Sequence, residues 1–292
     1  MPRAGIVTVV GKPNVGKSTL LNRIVGQKLS ITSPKPQSTR DRVVGILSTD
    51  DAQMVILDTP GLLNPKYPLQ QAMRSTALSA LDDADVIIYL ADATEGEPPS
   101  LSDAAELEHP PKARVVTVLN KSDALNPARR GILSTSDSTV LVSALTGDGI
   151  PELMAKVSAL LPESPFLYPE DEISTQPVRF FVAEMVRETV LEQLHDEVPY
   201  SVAVQVEEYR EDRSPLYIRA VIYVERDSQK AIIIGAKGAQ IRKLGEAARK
   251  KIETFTGERV YLDLWVKVLA NWRKNPGSLS KFGYQLATGK TR

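Results

Sequence analysis

The chain has 292 residues, about two domains' worth on a prior of roughly 100–200 residues per domain, with 42% hydrophobic, 25% charged and only 5% aromatic side chains. It contains no cysteine, which excludes disulfides, thiolate zinc sites, iron–sulfur clusters and cysteine nucleophiles together and fits a reducing compartment. Its 36 basic and 36 acidic side chains cancel, and a zero net charge speaks against a nucleic-acid binder, which usually carries a basic excess.

No apolar run approaches the ~18 residues that span a bilayer, and Met1-Pro2-Arg3-Ala4-Gly5 leads directly into a strand-like segment with no room for a signal peptide. A cytoplasmic protein of two domains is expected. Residues 1–165 alternate β-branched runs, at 5–10, 53–57, 86–91, 114–119 and 139–142, with helical stretches. Several runs are apolar throughout, as strands covered on both faces are. The pattern predicts βαβ crossovers and an α/β, doubly wound, mostly parallel sheet, in which ligands sit beyond the carboxyl ends of the strands.

The residues just past each strand are therefore the informative ones. After the first comes Gly11-Lys12-Pro13-Asn14-Val15-Gly16-Lys17-Ser18-Thr19, then a helix with apolar Leu20, Leu21, Ile24 and Val25. This is the G-x-x-x-x-G-K-S phosphate loop. Its glycines let backbone N–H groups converge on anionic oxygens, and the helix adds its positive end. Gly11, Asn14, Val15, Gly16, Lys17, Ser18 and Thr19 are the predicted phosphate-binding residues, with Lys17 reaching the β- and γ-phosphates and Ser18 ligating Mg²⁺. After the second run, Asp58-Thr59-Pro60-Gly61 places an acid where the metal's second protein contact belongs, and the Gly61 N–H can sense the γ-phosphate.

After residues 114–119 stands Asn120-Lys121-Ser122-Asp123. A carboxylate accepts from guanine N1–H and its exocyclic amine, whereas adenine would leave it unpaired. Asp123 is thus expected to select GTP over ATP, Asn120 to tie the base loop to the phosphate loop, and Lys121 to cover the base with its stem. Ser143-Ala144-Leu145, after the last run, would offer N–H groups to guanine O6.

Residues 31–42, polar with two prolines, read as a long mobile loop. In a GTPase this is switch I, with Gln37, Thr39 and Arg40 as its expected functional residues and Thr39 closing over Mg²⁺. Residues 62–71 would be switch II, beginning at Leu62. Leu62 occupies the position where a Ras-like glutamine orients the attacking water. A hydrophobic side chain cannot do so, and it fits simple packing on the sheet equally. No side-chain base is identified. Slow intrinsic hydrolysis is expected, dependent on a monovalent cation such as K⁺ near Asn14 or on a group supplied by a partner.

Residues 166–177, with prolines and acids and no periodicity, read as a linker. A helix is predicted from about Val178, with Phe181, Val182, Met185, Val186, Val190 and Leu194 on one face. Strands are expected around Val202–Val206, at 216–224 and at 260–268. Between the last two lies Ile234-Gly235-Ala236-Lys237-Gly238, a G-x-x-G between helices. This is the loop with which KH domains clamp about four single-stranded nucleotides. The order α-β-β-α-α-β predicts a type II KH domain, smaller and α+β, over residues 178–292 with a C-terminal tail. Ile234, Gly235, Ala236, Lys237, Gly238, Arg242, Lys243 and Lys250 are its candidate RNA-binding residues. His109 and His195 fit no metal or triad spacing, and His195 is expected to cap a helix end.

In these motifs, and in stretches such as 167–172, 179–184, 197–204 and Asn271-Trp272-Arg273, the chain resembles the bacterial Era-type GTPases nearly throughout. The resemblance implies a monomeric, cytoplasmic switch that uses GTP, GDP and Mg²⁺. It further implies binding to the 3′ end of 16S rRNA, assistance to 30S ribosomal subunit assembly, and some peripheral association with the inner membrane. Two positions depart from the family pattern. Ser38 replaces the first threonine of the switch I pair, and Leu63 replaces a histidine often found there. Competing readings are a constitutive RNA-binding assembly protein with a structural nucleotide, and a membrane-associated cell-cycle regulator. Charge favours RNA once it is apportioned. Residues 226–292 hold 15 basic and 5 acidic side chains, against 5 and 13 in 166–225 and 16 and 18 in 1–165.

Overall fold

Two separate sheets form from these runs in the computed structural model, which describes residues 1–134 and 138–286. The last six residues of the expected tail lie outside that set. The chain divides into two units, one of Met1–Lys66 with Gln70–Thr175, the other of Tyr67–Leu69 with the chain from Gln176 onward.

Unit 1 runs β1 (Arg3–Val10), α1 (Lys17–Val25), β2 (Val43–Ser48), β3 (Ala52–Asp58), α2 (Pro68–Asp82), β4 (Val86–Asp92), α3 (Leu101–Ala105), β5 (Arg114–Asn120), α4 (Pro127–Ser134), β6 (Thr139–Leu141) and α5 (Ile150–Leu160). The sheet order is β2-β3-β1-β4-β5-β6, parallel except for the β2–β3 pair. Strands β3 and β4 are almost wholly buried, which is why they are apolar without alternation. β2 is not among the expected strands. Its run is broken by Gly45, where a Cβ would lie 2.7 Å from Val25 Cγ2 and 2.8 Å from Leu21 Cδ1, so helix α1 can pack closely there.

The stretch expected as a linker is held mostly against unit 1. Gln53, fully buried in β3, accepts from the Leu167 and Tyr168 N–H groups at 2.7 and 2.9 Å and donates to the Tyr168 carbonyl at 2.8 Å. The Ile46 N–H donates to the Ile173 carbonyl at 2.9 Å. Such contacts need no hydrophobic periodicity, so the sequence pattern does not reveal them.

Unit 2 contains α6 (Val178–Gln193), α7 (Val198–Ser201), β7 (Ala203–Arg210), β8 (Leu216–Val224), α8 (Asp227–Ile234), α9 (Ala239–Thr256), β9 (Val260–Val268) and α10 (Pro276–Lys281). β7 pairs antiparallel and β9 parallel with β8. Apart from the single turn α7 and the terminal α10, this is the type II KH order. Phe181, Val182, Met185, Val186, Val190, Leu194, Leu244, Ala248 and Ile252 are buried in its core. The cap of α6 is Leu194, whose N–H returns to the Val190 carbonyl, rather than His195. Trp272 is fully buried and donates from Nε1 to the Ser201 carbonyl at 2.8 Å.

Candidate functional site

The carboxyl ends of β1, β3, β5 and β6 open onto one cavity of about 640 Å³, lined among others by Gly16, Lys17, Thr39, Gly61, Asp123 and Leu145. The phosphate loop takes its shape from residues at positive φ: Gly11 at 156°, Asn14 at 64° and Gly16 at 102°. A Cβ on Gly11 would stand 2.1 Å from the Leu90 carbonyl oxygen, so glycine is obligatory there. Lys17, buried at the start of α1, donates from Nζ to the carbonyls of Gly11 at 3.1 Å and Lys12 at 2.9 Å. Burial lowers its pKa to about 8, against the opposing pull of Asp58.

Ser18, Thr39 and Asp58 converge as expected from sequence. Ser18 Oγ donates to Asp58 Oδ2 at 2.7 Å and lies 2.8 Å from Thr39 Oγ1. Asp58 is fully buried, and its Oδ1 has no hydrogen-bond partner among the described residues. Desolvation raises its pKa, while Lys17 and the hydroxyls of Ser18 and Thr39 oppose the rise. An orphaned carboxylate oxygen beside two hydroxyls is a hard-oxygen donor set suited to Mg²⁺, and a divalent cation would stabilise the ionised acid. Arg40 is buried, and Asn14 Nδ2 donates to the Pro34 carbonyl at 2.9 Å, joining the phosphate loop to residues 31–42. Thr59 donates to the Val9 carbonyl at 2.8 Å, and the Leu62 N–H donates to the Gly11 carbonyl at 3.0 Å. The Leu62 side chain is buried in the cluster that includes Val10, Ala77, Ile87 and Tyr89, which leaves it a packing role. Leu63 reaches the cavity wall instead.

At the base-binding end, Asn120 Nδ2 donates to the Val15 carbonyl at 2.7 Å and its Oδ1 accepts from the Ala144 N–H at 2.9 Å. One side chain thus joins three loops. Ser143 Oγ donates to Asp123 Oδ1 at 2.5 Å, fixing the carboxylate expected to read guanine. Two contributors were missed by sequence reasoning. Asp92, the last residue of β4, accepts from Lys121 Nζ at 2.6 Å. Burial pushes its pKa up, but the bonds from Lys121 and Thr94 outweigh that and hold it below the usual value. Its signal was an acid at a strand's carboxyl end. Arg23, on α1, donates from Nε to the Ala144 carbonyl at 3.2 Å and also bonds the Leu145 carbonyl. It had no motif to announce it.

In unit 2, Gly235 has φ 71°, and a Cβ there would stand 2.7 Å from Gln240 Cβ and 2.9 Å from Gln240 N. Gly238, at φ 78°, caps the start of α9. Ala236 and Lys237 are exposed at the loop tip, and Arg242, Lys243 and Lys250 lie exposed on α9, while Ile234 is half-buried. Not all nearby cations are available to an anion. Lys251 pairs with the buried Glu188 at 2.8 Å and with Glu192 at 2.7 Å, Lys267 pairs with Glu207 at 2.8 Å, and Arg273 pairs with Glu225. Trp265 is 51% exposed and donates from Nε1 to Asp263 Oδ2 at 3.0 Å.

A phosphate loop, a switch-like Thr and Asp at the metal position, and a guanine-type base loop, followed by a G-x-x-G domain, define a P-loop GTPase with a C-terminal KH domain. Residues 6–121 match the family model of the 50S ribosome-binding GTPases, and residues 197–273 match that of the KH domain. The chain belongs to the GTPase Era family. It is 41% identical over 295 residues to GTPase Era of Carboxydothermus hydrogenoformans and 44% identical over 296 residues to that of Geotalea daltonii, covering 97% of this chain and 98% of each relative. A solved variant of Aquifex aeolicus Era bound to GDP and AlF₄⁻ is 39% identical, with a TM-score of 0.88 over 97% of this chain and 100% of that one. An Era in complex with MgGDPNP and nucleotides 1506–1542 of 16S ribosomal RNA is 39% identical, with a TM-score of 0.90 over 98% and 100%.

Proposed function

We propose that this protein is a cytoplasmic, monomeric GTP-hydrolysing switch whose KH domain binds the 3′ end of 16S rRNA and assists assembly of the 30S subunit. The observation that carries the reading is the likeness over nearly the whole chain to an Era complexed with both a GTP analogue and that RNA. The match to the 50S-binding family concerns residues 6–121 alone, so it bears on the GTPase half and leaves the choice of RNA to the KH half.

In this reading Gly11, Asn14, Val15, Gly16, Lys17, Ser18, Thr19 and Gly61 hold the phosphates. Ser18, Thr39 and Asp58 serve Mg²⁺, directly or through water. Asn120, Lys121, Asp123, Ser143, Ala144 and Leu145 form the guanine site. Gln37, Thr39, Arg40 and the stretch from Asp58 through Thr59, Pro60 and Gly61 to Leu62 respond to the γ-phosphate. Residues Ile234 to Gly238 with Arg242, Lys243 and Lys250 contact RNA. No side-chain base for hydrolysis is identified among the described residues, and a K⁺ beside Asn14 would supply charge that Leu62 cannot. Turnover indifferent to exchanging Na⁺ for K⁺ would remove that cation from the scheme. Any membrane association would be peripheral, since among the described residues no helix is long and apolar enough to cross a membrane.

The test is the affinity of the full chain for a 16S 3′-end oligonucleotide, measured by fluorescence anisotropy. Tighter binding with a GTP analogue than with GDP is expected, and Gly235→Asp should abolish it while GDP affinity stays. Equal affinity in both nucleotide states would favour a constitutive RNA-binding protein.

A further inference from the structure

The loop after β6 presents three successive N–H groups near the base end of the cavity. That of Ala144 is taken by Asn120 Oδ1 at 2.9 Å, and that of Thr146 by Ser143 Oγ at 3.1 Å. The Leu145 N–H has no acceptor among the described residues. It is therefore the one donor of the three left for a ligand, and Leu145 lines the cavity.

A trans peptide is planar, so the carbonyl of Ala144 and the N–H of Leu145 belong to one rigid plate and point in opposite directions. Whatever fixes that carbonyl aims that N–H. Arg23 grips it, with Nε 3.2 Å from the Ala144 oxygen while Nη2 bonds the next carbonyl, of Leu145. The guanidinium fork thus fixes two consecutive peptide planes, which one lysine ammonium could not do with the same geometry. Arg23 lies in the last turn of α1, the helix that begins with Lys17 and Ser18, so the phosphate helix also orients the base loop.

We propose that Arg23 is a positioning residue for guanine recognition, holding the Leu145 N–H toward the 6-oxo group of the base. The inference rests on the guanine reading of the cavity. A blander role exists, because a cation in the last turn of a helix also complements the helix dipole. A lysine would satisfy that role equally.

The experiment compares GDP with 6-thio-GDP on the full chain by calorimetric titration. The thio analogue keeps the N1–H and amine that Asp123 would read but offers a weak sulfur acceptor in place of O6. The wild type should bind GDP about tenfold more tightly than the analogue, one hydrogen bond's worth. In Arg23→Gln that ratio should shrink to about two, through weaker GDP binding with little change for the analogue. Arg23→Lys should recover the melting temperature but at most part of the ratio. The proposal is overturned if Arg23→Gln weakens both ligands by the same factor, or if Arg23→Lys restores the full ratio. A wild-type ratio of one overturns the O6 contact and Arg23's role with it. The guanine reading is checked separately by preference for GDP over xanthosine diphosphate, so the two failures are distinguishable.

Discussion

Binding of GDP should draw a proton onto Lys17. In the free protein its ammonium is buried, close to the single carboxylate of Asp58, and its pKa falls to about 8. A diphosphate brought within reach of Nζ restores full protonation, because the nearby anion favours the charged form. At pH 8 about half the lysines are neutral before binding and essentially none after, so about 0.5 proton is taken up per GDP, falling to about 0.1 at pH 7. Affinity should then weaken by about fourfold between pH 7 and about 8.5, a range that stops short of guanine N1–H ionisation. For stability the sign is the reverse of a salt-bridged lysine. The folded pKa lies below the ordinary 10.5, so the free protein gains stability as pH rises between about 8 and that value, and bound GDP removes the gain. Titration calorimetry in buffers of different ionisation enthalpy counts the proton directly. Uptake that is absent, or the same at pH 7 and pH 8, would refute the assignment.

Other consequences are equally direct. Asp123→Asn should cost GDP about 2–3 kcal/mol of binding and shift preference to xanthosine diphosphate, measured by competition, because an amide can donate to the xanthine 2-oxo group. Gly11→Ala drives a Cβ to 2.1 Å from the Leu90 carbonyl oxygen, and should destabilise by at least about 1–3 kcal/mol in urea unfolding and remove GDP binding. Trp272→Ala empties a fully buried site and orphans the Ser201 carbonyl. A loss of about 3–5 kcal/mol is expected in urea unfolding followed by far-UV circular dichroism, with GDP affinity of the folded chain unchanged.

The motif-bearing parts of the site were legible because each lies at a strand end, where apolar runs give way abruptly to Gly, Asp, Asn or Ser. That placement brought out Ser18 and Asp58, whereas Thr39, in the loop before β2, was expected from the polar, proline-bearing character of residues 31–42. The core of the KH domain was readable for a related reason, since the 3.6-residue period of α9 marks its buried face. Helix α6 is buried on every side over residues 185–191, so its apolar positions were legible but its buried Arg187, Glu188 and Thr189 were not. The parts that escaped are held by polar contacts between residues far apart in sequence. Arg23 and Ala144 are 121 positions apart, and nothing local distinguishes that arginine from any other on a helix. Lys251, adjacent to Lys250 and of identical type, is taken up by Glu188 and Glu192. A sequence window cannot separate such a pair. β2 escaped because Gly45, required by the close approach of α1, interrupts its apolar run.

The attachment of residues 166–175 bears on how the GTPase half can be studied alone. β2 is the end strand of its sheet, and on its outer side the Ile46 N–H bonds the Ile173 carbonyl while Ser174 Oγ donates to the Val44 carbonyl at 2.6 Å. Unpaired strand edges of this kind invite strands from other molecules. A fragment cut at residue 165, where composition suggests a boundary, would bare the apolar edge of Val43, Val44 and Ile46 and should self-associate. One cut after Thr175 keeps its own plug and should stay monomeric in sedimentation.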